Sequence, residues 1–254
     1  MCTSAKMIVM FIFAAFMPFA LAFPSRQNRS KPAEPSTRIS GGYSTTIYDI
    51  PYIVQVNEGY PMCGGSIISR FWVITAGHCL DGSLAERVTI RAGTDQLGVG
   101  GVEIQASSLY IHPKFDLDAV DYDIGLIRLA SPLFFGPTIS AISLAEEKVP
   151  VGTPAVVSGW GFLAGGGNNT NPTQLHRVTI PVVSDNECPD YTERRICAGY
   201  PDGIESPCFG DSGGPLAVGN TLIGITSTGE DCIGLSIFSN VANLHNWISS
   251  VTSI

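Results

Sequence analysis

Short apolar runs divided by turn residues set the tightest limit on what this chain can fold into. From Ile39 onward they recur at 52–56, 64–68, 71–75, 87–92, 102–106 and 124–129, then at 154–159, 177–183, 215–218, 221–227 and 235–239. Each has the length of one strand, and Gly, Pro, Asn and Asp separate them. Many short strands with regular turn signals predict an all-β barrel architecture. Near the end, Leu244, Trp247, Ile248 and Val251 are spaced by three, one and three, which predicts one terminal amphipathic helix. The residues show no internal repeat.

The first residues stand outside this pattern. Met1 to Met7 carries one lysine, Ile8 to Leu21 is almost wholly apolar, and Ala20-Leu21-Ala22 offers a small-x-small cleavage site. These features predict a secretory signal peptide over 1–22. A membrane anchor is disfavoured by Pro18 and by an apolar core short of the roughly 20 residues that span a bilayer. Residues 23–38 are rich in Pro, Ser and charge and lack an apolar period, so they read as a short flexible segment. No later run has transmembrane length, and the expected product is secreted and soluble.

Cysteine usage agrees with an oxidising compartment. Of seven cysteines, Cys2 lies in the leader, leaving Cys63, Cys79, Cys188, Cys197, Cys208 and Cys232. An even set in a secreted chain implies disulfides, but six cysteines alone allow fifteen connectivities. No CxxC pair or His/Cys cluster suggests zinc, and Asp95 and Glu103 in 93–105 are too few oxygens for calcium. No metal or cofactor is expected. The whole chain has a formal net charge of −8, with 14 bases and 22 acids; without residues 1–38 it loses five bases and one acid, leaving 9 and 21, hence −12. This argues against nucleic-acid binding, which needs a basic footprint. Asn168-Asn169-Thr170, in a Gly- and Asn-rich loop, forms a glycosylation sequon.

Three motifs carry chemistry. Gly210-Asp211-Ser212-Gly213-Gly214-Pro215 sets a serine in a glycine-rich turn beside a carboxylate. A nucleophilic serine needs such a turn to expose its hydroxyl and to aim backbone N–H groups at a developing oxyanion. Thr75-Ala76-Gly77-His78-Cys79 follows the apolar run Phe71-Trp72-Val73-Ile74, and Asp121-Tyr122-Asp123-Ile124-Gly125-Leu126-Ile127 places an acid at the mouth of another. In the order His, Asp, Ser, and with these neighbours, the motifs resemble the chymotrypsin/trypsin family of serine endopeptidases. The resemblance runs from Ile39 nearly to Ile254.

That resemblance implies two six-stranded antiparallel barrels, at about 39–140 and 141–254, with the terminal helix. It implies His78, Asp123 and Ser212 as a catalytic triad, with the N–H groups of Gly210 and Ser212 as oxyanion hole. It pairs Cys63 with Cys79, Cys188 with Cys197 and Cys208 with Cys232. It makes 23–38 an activation pro-segment, cut after Arg38 so that the new Ile39 ammonium pairs with Asp211. Gly77 stands where the family more often has Ala, and Ser40 where it has Val.

The same alignment places Ser206 at the floor of the primary substrate pocket and Gly229 and Ser236 on its walls. Ser227-Thr228-Gly229 is the strand to which a substrate adds, with Thr228 in place of a frequent Trp. A floor Asp would select Arg or Lys; Ser206 instead favours an apolar or aromatic residue before the scissile bond. Basic and small-residue preferences stay open, because Pro207 alters the floor and Glu205 is one residue away. An enzyme of apolar preference needs a separate trypsin-like protease to cut after its own Arg38. The expected partners are protein or peptide substrates and that activating protease, and the expected state is a monomer. A non-catalytic homologue acting as a binding protein on the same scaffold is the reading from another class.

Overall fold

The apolar runs become strands that close or nearly close on themselves. The computed structural model describes residues 42–162, 172–203, 205–229 and 232–254. The leader, the 23–38 segment, the Arg38–Ile39 junction and the Asn168 sequon lie outside these residues. In chain order the strands are β1 (Tyr43–Ser44), β2 (Ile53–Asn57), β3 (Pro61–Ile67), β4 (Trp72–Thr75), β5 (Thr89–Ala92), β6 (Val102–Ile111) and β7 (Gly125–Leu129). They continue with β8 (Ser143–Leu144), β9 (Pro154–Gly159), β10 (His176–Pro181), β11 (Arg195–Gly199), β12 (Pro215–Val218), β13 (Thr221–Gly229) and β14 (Leu235–Asn240), and the chain ends in helix α1 (Val241–Thr252).

Strands β2-β3-β4-β7-β6-β5 form a closed antiparallel barrel. Closure leaves no open edge. Its interior is filled by Val54, Val56, Ile67, Val73, Ile90, Ile127 and their neighbours. The alternate residues Ile53, Ile74, Ile124 and Leu126 are equally buried, but they belong to a second cluster shared with the C-terminal half. Period-2 geometry sends neighbouring side chains to opposite faces. A strand buried on both faces therefore reads as a continuous apolar run, which is why Trp72-Val73-Ile74 has no polar residue between its apolar ones.

The second half is the other expected six-stranded antiparallel unit, and it nearly closes on itself. Its path β10-β9-β12-β13-β14-β11 has the expected six strands, but the ends are joined only by an isolated bridge, Val182 to Ala198. Two short strands extend the sheet to eight: β1, from the N-terminal half, pairs with β10, and β8 pairs in parallel with β13. Helix α1 covers this core with Val241, Leu244 and Ile248. All three disulfides implied by the family pattern are formed, Cys63–Cys79, Cys188–Cys197 and Cys208–Cys232. No helix among the described residues is long and apolar enough to cross a membrane.

Candidate active site

His78 sits in the turn after β4, and the turn is tied to β3 by Cys63–Cys79. The backbone is fixed first: the His78 N–H donates to Asp123 Oδ1 at 2.8 Å. The ring follows, with Nδ1 2.8 Å from Asp123 Oδ2. An ionised carboxylate can only accept, so Nδ1 carries a proton toward it. A Cβ at Gly77 would lie 3.3 Å from Asp123 Oδ1 and 3.2 Å from the Ile124 nitrogen, a close fit that asks its neighbours to give by a few tenths of an ångström.

Asp123 is only 1% exposed. Burial pushes its carboxyl pKa up, but the bond and charge of His78, with the bond from Ser227, outweigh this and hold it below the ordinary value. Ser227 Oγ donates to Asp123 Oδ2 at 2.5 Å, and Ser239 Oγ donates to the Asp123 carbonyl at 2.6 Å. Both serines come from the second half, so the acid of the first barrel is held across the seam. The motif reading treated Ser227 only as part of the substrate strand and did not find Ser239. Their distance in sequence from Asp123 leaves no local signal.

Ser212 lies in a chain of tight turns in which Gly210 (φ 97°) and Gly213 (φ 77°) occupy the left-handed region that favours glycine. The Gly64 N–H donates to the Ser212 carbonyl at 2.7 Å. A Cβ on Gly213 would fall 2.1 Å from Thr75 Oγ1 and 2.6 Å from the Gly64 carbonyl, so the serine turn is pressed against the first barrel. Among the described residues, the N–H groups of Gly210 and Ser212 have no acceptor, and Ser212 Oγ makes no hydrogen bond to His78.

Asp211 is fully buried. Its carboxylate accepts the Gly161 N–H at 2.8 Å and the Cys208 N–H at 2.9 Å. No cation pairs with it among the described residues. Burial pushes its pKa up to about 6, against the two backbone bonds that lower it. Cβ atoms at Gly159 and Gly161 would lie 2.1 and 2.4 Å from its oxygens, so the carboxylate occupies space that only glycines leave.

A cavity of about 100 Å³ opens beside Ser212, between Pro207–Phe209, Thr226–Gly229 and Ser236. Ser206 does not face it directly. It is 1% exposed and stands behind Ser236, with the two hydroxyls 2.8 Å apart and Ser206 Oγ 3.1 Å from the Pro207 carbonyl. A Cβ at Gly229 would come within 3.3 Å of Ser236 Oγ. Among the described residues no carboxylate lines the cavity; Glu205 belongs instead to a shallow groove with Tyr200, Asp202 and Gly203. Beyond Ile225, β12 no longer flanks β13, so Ser227–Gly229 pairs with β14 on one side and has a free edge on the other. Cys63, His78 and Cys79 form the one cluster of possible metal ligands among the described residues, and both of its sulfurs are held in a disulfide.

Comparison with known proteins agrees with this arrangement. The family model described as Trypsin matches residues 39–248. The chain is 33% identical to Trypsin 5G1 of Aedes aegypti, over 97% of this chain and 99% of that protein. It is 34% identical to Cationic trypsin-3 of Rattus norvegicus, over 95% and 98%. It is 36% identical to Trypsin eta of Drosophila erecta, over 86% and 91%. A closed six-stranded barrel, a second antiparallel sheet, a C-terminal helix and a match across most of the chain place this protein in the trypsin family, as a serine endopeptidase of chymotrypsin-like fold.

Proposed function

We propose that Ser212 attacks the peptide carbonyl, with His78 as general base and then general acid, and Asp123 orienting the imidazole. The bond between Ser212 Oγ and the carbonyl carbon forms while the hydroxyl proton passes to His78 Nε2. His78 then protonates the leaving amine, and water hydrolyses the acyl-enzyme by the reverse proton path. The N–H groups of Gly210 and Ser212 receive the oxyanion, each contributing about 3 kcal/mol to the transition state. The observation that carries this reading is the 2.8 Å His78–Asp123 contact beside a serine turn in which the Gly210 and Ser212 N–H groups have no acceptor among the described residues.

The pocket favours an apolar or aromatic residue before the scissile bond. Its deep wall ends in the Ser206–Ser236 hydroxyl pair, which satisfies itself and offers no charge to a guanidinium or ammonium. Burying a cation there without a counter-ion would cost several kcal/mol. The second reading, preference for Arg or Lys, draws on the relatives' names, all of which include trypsin. The free edge of Ser227–Gly229 suits substrate addition as a strand.

In the same reading the chain is secreted through residues 1–22 and kept inactive by 23–38, with the protease domain over 39–254 and acting as a monomer. A separate trypsin-like protease cuts after Arg38, and the Ile39 ammonium becomes the counter-ion that buried Asp211 lacks among the described residues. The test is a peptide panel with Arg, Phe, Leu or Ala before the scissile bond. The precursor is cut by immobilised trypsin, separated from it, and compared with Ser212→Ala. Turnover of Phe and Leu peptides that disappears in Ser212→Ala is expected. Turnover of Arg peptides alone overturns the pocket assignment, and full activity in Ser212→Ala overturns the nucleophile.

A further inference from the structure

The turn that delivers Asp123 is strained, and two adjacent cations of the second half grip it. Val120 (φ 49°) and Tyr122 (φ 51°) both adopt the left-handed region, which is unfavourable for a β-branched or bulky side chain. The turn closes on itself through two Asp116–Asp121 backbone bonds, at 3.0 and 3.1 Å, and through Asp116 Oδ1, which accepts the Asp118 and Ala119 N–H groups at 3.0 Å. Such conformations persist where the surroundings hold them. Here the holders are at the start of β11. Arg195 is 7% exposed and donates through Nη2 to the carbonyls of Ala119 and Val120, and through Nη1 to the Asp190 carbonyl at 2.6 Å. Arg194 grips the Asp121 carboxylate with both arms, Nε to Oδ1 at 2.9 Å and Nη2 to Oδ2 at 2.6 Å. Its guanidinium also lies 4.6 Å from the centre of the Tyr122 ring, which stacks on His112 at 4.5 Å.

Two facts separate this arrangement from ordinary surface pairing. Arg195 is nearly buried with carbonyl partners and, among the described residues, no carboxylate partner, and desolvating a charge in that way is a poor means of gaining stability. In addition, Arg195 is directly opposite Ser239 in the β11–β14 ladder, and Ser239 bonds the Asp123 carbonyl. Both sides of that register position therefore hold the same short stretch of the first barrel.

We propose that Arg194 and Arg195 are positioning residues for the acid–base pair, setting the turn so that Asp123 meets His78. This rests on the reading of Asp123 as the acid that orients His78. The test uses full-length precursor activated at Arg38, with the variants Arg194→Gln, Arg194→Lys, Arg195→Met and Asp123→Asn. Active fractions are fixed by titration with a serine-directed sulfonyl fluoride. Arg194→Gln and Arg195→Met are expected to lower kcat by about ten- to a hundredfold, the scale of a small misplacement, with KM little changed. The strongly deshielded NMR signal of the His78 Nδ1 proton should broaden or move upfield in both, and Arg194→Lys should recover part of each effect. If Arg195→Met does not fold, the partly exposed Arg194 pair still decides the matter. Folded variants with unchanged kcat and unchanged signal overturn the proposal while Asp123→Asn remains inactive. Wild-type activity in Asp123→Asn instead overturns the reading on which it rests.

Discussion

The two halves of this protease hold their shapes by different means. The first is a closed ring of six strands with an interior of branched aliphatic side chains. The second closes through one bridge, and it relies on a covering helix, two disulfides and a run of glycine turns. The closed half supplies His78 and Asp123, which need a fixed mutual geometry. The open half supplies Ser212 and buried Asp211 from the loop before β12, and the cavity between that loop, the end of β13 and Ser236 of β14.

The largest effect is expected at Asp211, in the open half. If Asp211 receives the Ile39 ammonium as proposed, Asp211→Asn in the activated enzyme should lower activity by about a hundred- to a thousandfold, the scale of losing an oxyanion donor. The uncut chain should respond in the opposite direction. A buried carboxyl raised to about 6 gives stability that is complete below its unfolded pKa and lost as pH rises through about 6. Asn has no such dependence, so the uncut variant should gain stability relative to the wild type as pH rises from 4 to 8, less the loss of one of the two backbone bonds that the carboxylate accepts. Denaturation of the uncut protein from pH 4 to 8 checks this. An equal slope in both proteins would mean that a cation already compensates Asp211.

Core truncation ranks next. Leu129→Ala in the closed ring and Leu216→Ala in the open sheet remove the same atoms from sites 2% and 0% exposed. Each should cost about 2–5 kcal/mol, with Leu129→Ala at the upper end because a closed ring collapses less around a cavity. Urea midpoints and slopes measure both, and the reverse order would undo the contrast between the halves. The smallest effect is expected at Cys188–Cys197, which encloses a sequence separation of 9. Replacing both cysteines by serine should cost about 2.5 kcal/mol by the loop-entropy relation, and removing Cys208–Cys232, with separation 24, about 1 kcal/mol more. Only the second removal should also slow peptide turnover, because Cys208 and Cys232 line the cavity.

Much of this was legible in the residues, for definite reasons. Trp72–Thr75 and Gly125–Leu129 were visible because burial on both faces makes a run continuous. The three motifs were visible because a reactive turn needs glycine, and glycine marks it. Arg195–Gly199 was missed as a strand, since two cations precede only three apolar residues, and nothing local says that Arg195 will be buried against the carbonyls of residues 119 and 120. The incomplete closure of the second half was equally hidden, because it depends on how Val182 meets Ala198 across the sheet. Ser206 was assigned to the pocket, yet its placement behind Ser236 depends on the register that sets Gly229 opposite Ser236.

The contact of Gly213 with Thr75 and Gly64 has a consequence for the life of the enzyme. On the proposed mechanism the turn of the nucleophile is part of the joint between the halves, so loosening that joint would misaim the serine and stop the cutting.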